Sequence, residues 1–154
     1  TVVGSYTVTA TLASDANYNG ATSSAFPFSI IKADSTISVT GTNSFTYSGS
    51  PQGPDTNTKT GSTGAVTYSY VGTGGTSYGP SATKPTVVGS YTVTATLASD
   101  ANYNGATSSA FPFSIIKAGS TISVTGTNSF TYNSNPQGPD TNTKTGSKIG
   151  RAHV

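Results

Sequence analysis

The chain has 154 residues, with no cysteine, no methionine and no tryptophan; five aspartates are its only acids, set against seven Lys and Arg and one histidine. Two of those bases, Lys148 and Arg151, lie in the last seven residues, and without them the charge sums to zero, which excludes the basic surface that nucleic acid or an anionic membrane requires. The absence of cysteine excludes disulfides and thiolate metal sites, no apolar run approaches the roughly 18–20 residues of a membrane span, and general acid–base chemistry has little to draw on, so no enzyme and no cofactor are expected.

The first stretch, Thr1–Ala33, returns letter for letter at Thr86–Ala118. The match runs on to Ser62 and Ser147 with four differences only: Asp34/Gly119, Ser48/Asn133, Gly49/Ser134 and Ser50/Asn135. Self-similarity at a fixed period of 85 residues is the mark of a tandem array. Four segments follow. Residues 1–34 are the back part of a truncated module, 35–119 a complete module, and 120–147 the front part of another. Residues 148–154, KIGRAHV, break the repeat and hold the only His and the only Arg. They can be encoded by a run that resembles the start of a common short-read sequencing adapter, and are expected to be a non-native tail.

Within the complete module, Ser35–Thr40 alternates, with Ile37 and Val39 on one face. Ser44–Tyr47 places Phe45 and Tyr47 together. Pro51–Gly64 is rich in Gly, Pro, Asp and Asn, and predicts a loop with one short irregular strand around Asn57–Thr60. Ala65–Val71 is a strand with Val66, Tyr68 and Tyr70 on one face, and Gly72–Gly75 a turn. Thr76–Pro85 reads as a loop or short edge strand. Val88–Ala98 alternates cleanly, with Tyr91, Val93, Ala95 and Leu97 inward. After the turn Ser99–Gly105, the run Ala106–Lys117 predicts one further strand with Phe111, Phe113 and Ile115 inward, and an edge or bulge at Pro112. Tyr6–Lys32 repeats this hairpin. Six or seven short strands at such spacing predict an all-β chain of tandem immunoglobulin-like β-sandwich modules, one complete and two truncated. The truncated ends should expose apolar edges that can pair with each other or with the complete module.

The unit resembles the bacterial Ig-like repeats called MBG-type modules, found in long secreted and surface proteins. The residues that carry the likeness are Phe45-Thr46-Tyr47-Ser48-Gly49-Ser50-Pro51-Gln52, Tyr78-Gly79-Pro80 and Gly89-Ser90-Tyr91-Thr92-Val93-Thr94-Ala95. The pattern departs at Val87-Val88, where an acidic residue often stands. The resemblance implies an extracellular or cell-surface role, structural or adhesive, and Gly-x-Tyr is similar to the tyrosine corner of Ig-like sandwiches, with Tyr91 as its tyrosine.

Three motifs are candidates for chemistry. Asp100, Asn102 and Asn104 match the first half of a calcium loop, D-x-N-x-N-G, but the twelfth position is Phe111 and the loop has a single carboxylate, so an Asx-rich turn is the expected reading. Asp15, Asn17 and Asn19 repeat it. Ser114-Ile-Ile-Lys117 and Lys59-Thr60-Gly61 mimic motifs of penicillin-binding enzymes, yet an offset of three on a strand places Ser114 and Lys117 on opposite faces. Tyr78 and Tyr103 fall in loops and are the candidate contacts for a sugar ring, against a plain packing role.

The expectation for function is a spacer or stalk repeat of a long extracellular bacterial adhesin-like protein, with neighbouring repeats as its partners. The alternative is a repeated carbohydrate- or surface-binding module that acts by avidity on surface glycans. An eleven-residue strand, Val88–Ala98, spans roughly 35 Å, so each repeat should add about 35–45 Å to a rod. Asp34 against Gly119 is the one change at a joint between repeats, and glycine should make that joint looser.

Overall fold

The computed structural model describes residues 2–147, and the KIGRAHV tail lies outside the described residues. Every regular element in them is a strand. In chain order these are β1 (Gly4–Val8), β2 (Thr11–Leu12), β3 (Ala21–Thr22), β4 (Phe26–Ile30), β5 (Thr36–Thr40), β6 (Ser44–Thr46), β7 (Thr56–Thr60), β8 (Val66–Thr73), β9 (Gly89–Leu97), β10 (Ala106–Thr107), β11 (Phe111–Ile116), β12 (Thr121–Thr125) and β13 (Thr141–Thr145).

The complete module is built around β9. Alternation gives this strand an apolar face, and the residues on it are all buried: Tyr91, Val93, Ala95 and Leu97. β8 runs antiparallel along one edge of β9, from Val66 opposite Leu97 to Thr73 opposite Ser90. β10 and β11 share the other edge, and β11 in turn pairs in parallel with β6. β5 and β7 form a separate antiparallel pair, and Ile37 and Val39 of β5 close the core from the opposite side. The described residues are thus all-β, and in the complete module two sheets meet across one apolar layer.

Aromatic rings fill the end of that layer nearest Gly89. Phe113 stacks on Tyr91 at 5.3 Å between centroids and meets Tyr70 and Phe45 edge-on at 6.1 and 6.0 Å. Buried phenols need partners. Tyr70 donates to the Pro54 carbonyl at 2.9 Å and Tyr91 to the Val87 carbonyl at 2.6 Å. The Tyr91 bond runs four residues back to the backbone, as a tyrosine corner requires, with valine at the acidic position. Burial pushes the Tyr91 phenol up, with Tyr78 adding to it. Burial first, then the Asp55 charge, raises Tyr70 to about 12.

The structure corrects the expected elements at three places. The turn expected at Gly72–Gly75 begins later, because β8 continues through Gly72 and Thr73. A side chain at Gly72 would collide with the Thr76 carbonyl, so glycine here admits the crossing segment rather than ending the strand. The strand expected over Ala106–Lys117 is interrupted between Thr107 and Phe111. Three residues there oppose two on β9, a bulge that Ser108 fills: its N–H donates to the Ala95 carbonyl, and its Oγ accepts from the Ala95 N–H, both at 2.9 Å. Pro112 sits in register opposite Thr92, where β6 does not reach the outer edge of β11. The irregular strand near Asn57–Thr60 is a regular five-residue partner of β5.

The segments before and after the complete module keep local pairing and contribute no residue to the buried core. β1 pairs with β4, β2 with β3, and β12 with β13, and none of these joins a sheet of the complete module or of the other segment. Identical residues therefore have different surroundings. Leu12 is 67% exposed where Leu97 is 1%, and Ile122 is 61% exposed where Ile37 is 6%.

Candidate functional site

The Asx-rich turn after β9 folds around one carboxylate. Asp100 Oδ1 accepts from the N–H groups of Asn102 and Tyr103 at 3.0 and 2.9 Å. Oδ2 accepts from the Thr63 N–H at 2.8 Å and its hydroxyl at 3.1 Å. These bonds favour the ionised form. The Thr63 N–H contributes most, and together they hold the carboxyl down to about 2 against a partial desolvation that acts the other way. The same local turn forms at Asp15, whose Oδ1 accepts from Asn17 and Tyr18 at 2.8 Å, and those two bonds lower its pKa also. The loop shape is therefore local, encoded by Asp at its first position.

For the calcium candidates, the structure turns both oxygens of Asp100 onto protein donors. The Asn102 Oδ1 takes the Val3 N–H at 3.3 Å, and the Asn104 side-chain amide donates to Asp34 Oδ1 at 2.9 Å. Among the described residues no three or more His, Cys, Asp or Glu come together.

The tyrosine candidates stand apart. Tyr78 lies edge-on to Tyr91 at 5.9 Å, near the start of β9, and its hydroxyl donates to the Thr83 carbonyl at 2.7 Å. Tyr103 lies beyond the other end of β9, beside Gly61. Tyr91 and Leu97 mark these two ends, so roughly 20 Å of strand separates the candidates.

The segment that enters the complete module lies against this loop. Ala33 donates to the Asn102 carbonyl at 3.0 Å and accepts from the Asn104 N–H at 2.8 Å. Lys32 Nζ donates to the Asp100 carbonyl at 2.6 Å. Ser35 Oγ donates to the Asn104 carbonyl at 2.6 Å and accepts from the Ser62 N–H at 2.9 Å. The sequence marks Asp34 as a joint residue and gives no link from it to the loop. The signal available was weak: Asp34 is one of five acids in the chain and the only one that differs between the copies.

The chain enters beside Asn104, past the C-terminal end of β9, and leaves through Ile115 and Ile116, beside Gly89 and Thr46. Entry and exit thus lie at opposite poles. These features define the class: an all-β repeat module. The chain belongs to the MBG domain family, whose model matches residues 1–34 and again 35–119. No curated protein and no solved structure matches the chain.

Proposed function

We propose that the chain is part of a stalk: a run of repeats that spaces and projects other parts of a long extracellular or cell-surface protein, without catalysis. One observation carries this reading. The polypeptide enters the complete module at one end of β9 and leaves at the other, so successive modules extend rather than fold back. The nine residues of β9 alone span roughly 26–27 Å at the usual strand rise. A Ser/Thr-rich surface with no net charge suits such a rod, since it keeps the array soluble without drawing polyanions to it. Membership of the MBG family supports a repeat module.

Small-angle scattering on arrays of increasing repeat number tests the proposal. The maximum dimension should grow in proportion to repeat number, by about 35–45 Å each. A dimension that grows only as the cube root of mass would show a clustered array and overturn the stalk. The avidity reading predicts glycan binding that Tyr78→Ala and Tyr103→Ala abolish. Tyr78 is held by Thr83 and Tyr91, and Tyr103 lies at the entry pole, which favours packing roles for both.

A further inference from the structure

We propose that the loop Ser99–Gly105 of each repeat is the docking site for the linker of the repeat before it, and that the residue at position 34 sets how firmly that linker is held. This docking presupposes the stalk reading and names the partner surface within it: residues 32–34 and their equivalents.

The loop is formed before it is occupied. Its turn is closed by its own aspartate, and the first copy shows this with no linker against it: Asp15 makes the same two bonds, and Tyr18 stands 75% exposed. In the complete module the equivalent Tyr103 is 36% exposed. What the closed turn leaves facing outward is a row of backbone groups and amides: the carbonyls of Asp100, Asn102 and Asn104, the Asn104 N–H and its side-chain amide. The linker meets each of them. Lys32 takes the first carbonyl, Ala33 the second and the Asn104 N–H, Ser35 the third, and Asp34 the side-chain amide. Ala33 lies as a short parallel strand position against Tyr103, so backbone geometry as well as side chains sets the register. A row of convergent donors and acceptors on a preformed turn costs little ordering on the receiving side.

Position 34 is the variable part. The second linker reads Lys117-Ala118-Gly119-Ser120. Lys, Ala and Ser are kept, so all the other bonds remain available. Glycine offers no acceptor for the Asn amide and adds backbone freedom. An array with both linkers has two kinds of joint, one clamped by the Asp–Asn bond and one without it.

Amide hydrogen exchange on the full chain, corrected for intrinsic rates, tests this. In the parent protein the Ala33 and Asn104 amides should be protected. Asp34→Gly, which copies the second linker, and Asn104→Ala should each speed their exchange by about three- to tenfold, the range of one net hydrogen bond. Asp34→Asn keeps an oxygen acceptor and should stay closer to the parent than Asp34→Gly. The Val93 amide should be unchanged in all three. Unprotected Ala33 in the parent, or equal protection in parent, Asp34→Gly and Asn104→Ala, would overturn the docking site. The stalk is judged separately: arrays that lengthen with repeat number but show no protection at Ala33 keep the stalk and lose the clamp.

Discussion

Tyr6 and Tyr91 occupy the same place in two letter-identical segments, yet Tyr6 is 37% exposed and Tyr91 is 2% exposed. Each hydroxyl reaches the carbonyl four residues back, at 2.5 Å for Tyr6 and 2.6 Å for Tyr91. The local bond is therefore written in the hairpin itself, while burial depends on β5 and β8, which the first copy lacks. The chain carries its own control for separating local from tertiary stabilisation.

Paired truncations should use that control. Leu97→Ala removes a fully buried side chain and should cost about 2–5 kcal/mol in denaturant unfolding of the complete module. Leu12→Ala, the same change in the first copy, should stay within about 0.5 kcal/mol. Equal costs would mean that the first copy acquires a core of its own.

Tyr91→Phe removes the hydroxyl bond to Val87 and leaves the ring on Phe113. The exposed Val87 backbone can turn to water, so the loss should be about 1 kcal/mol, read as a shifted urea midpoint at constant slope. No shift would show that ring packing alone supplies the role of this tyrosine.

Acid should act through Asp100. Its folded pKa is depressed to about 2, chiefly by the Thr63 N–H, whereas the unfolded carboxyl titrates near 3.9. The unfolded state therefore binds the proton first. The stability that this carboxylate contributes is complete above about pH 5 and disappears as pH falls through 4 towards 2. Melting temperatures between pH 5 and 2 should fall less steeply in Asp100→Asn than in the parent. Parallel curves would mean that other carboxylates govern the acid limb.

Alkali should act through Tyr70. Its phenol is raised to about 12 by burial and by Asp55, while an unfolded tyrosine ionises near 10. The neutral form is favoured in the fold, so its contribution is complete below pH 10 and is lost as pH climbs to 12. Phenolate absorbance should show late-ionising tyrosine that titrates together with unfolding, and Tyr70→Phe should reduce it by one phenol.

The sequence is most legible where one face alone decides. β9 alternates between buried and solvated positions, so period two locates the strand and its inward residues within one residue at each end. β8 is legible up to Val71, but Gly72 reads as punctuation; only the crossing of Thr76 explains a glycine that sits inside a strand. The bulge at Ser108 carries no signal, since serine in a strand, a turn or a bulge looks alike. The entry loop is the clearest case. Asp100, Asn102 and Asn104 are the residue types of a turn, a cation site and a hydrogen-bonding cradle at once. What separates these is the approach of Lys32–Ser35, about 70 residues away in sequence and adjacent in space.

The parallel pairing of β6 with β11 decides how a module responds to tension. β11 ends at the exit pole, and β6 continues from the strand that begins at the entry pole. Drawing the poles apart slides these two strands along each other, so the bonds from Ser114 to Asn43 and from Tyr47 to Ile116 bear the load side by side. Bonds in shear must yield together, whereas bonds that peel yield one at a time. Tyr47→Pro, which deletes one donor, should lower the rupture force in single-molecule pulling far more than it lowers the melting temperature. A module of modest thermal stability can in this way resist force out of proportion to its free energy.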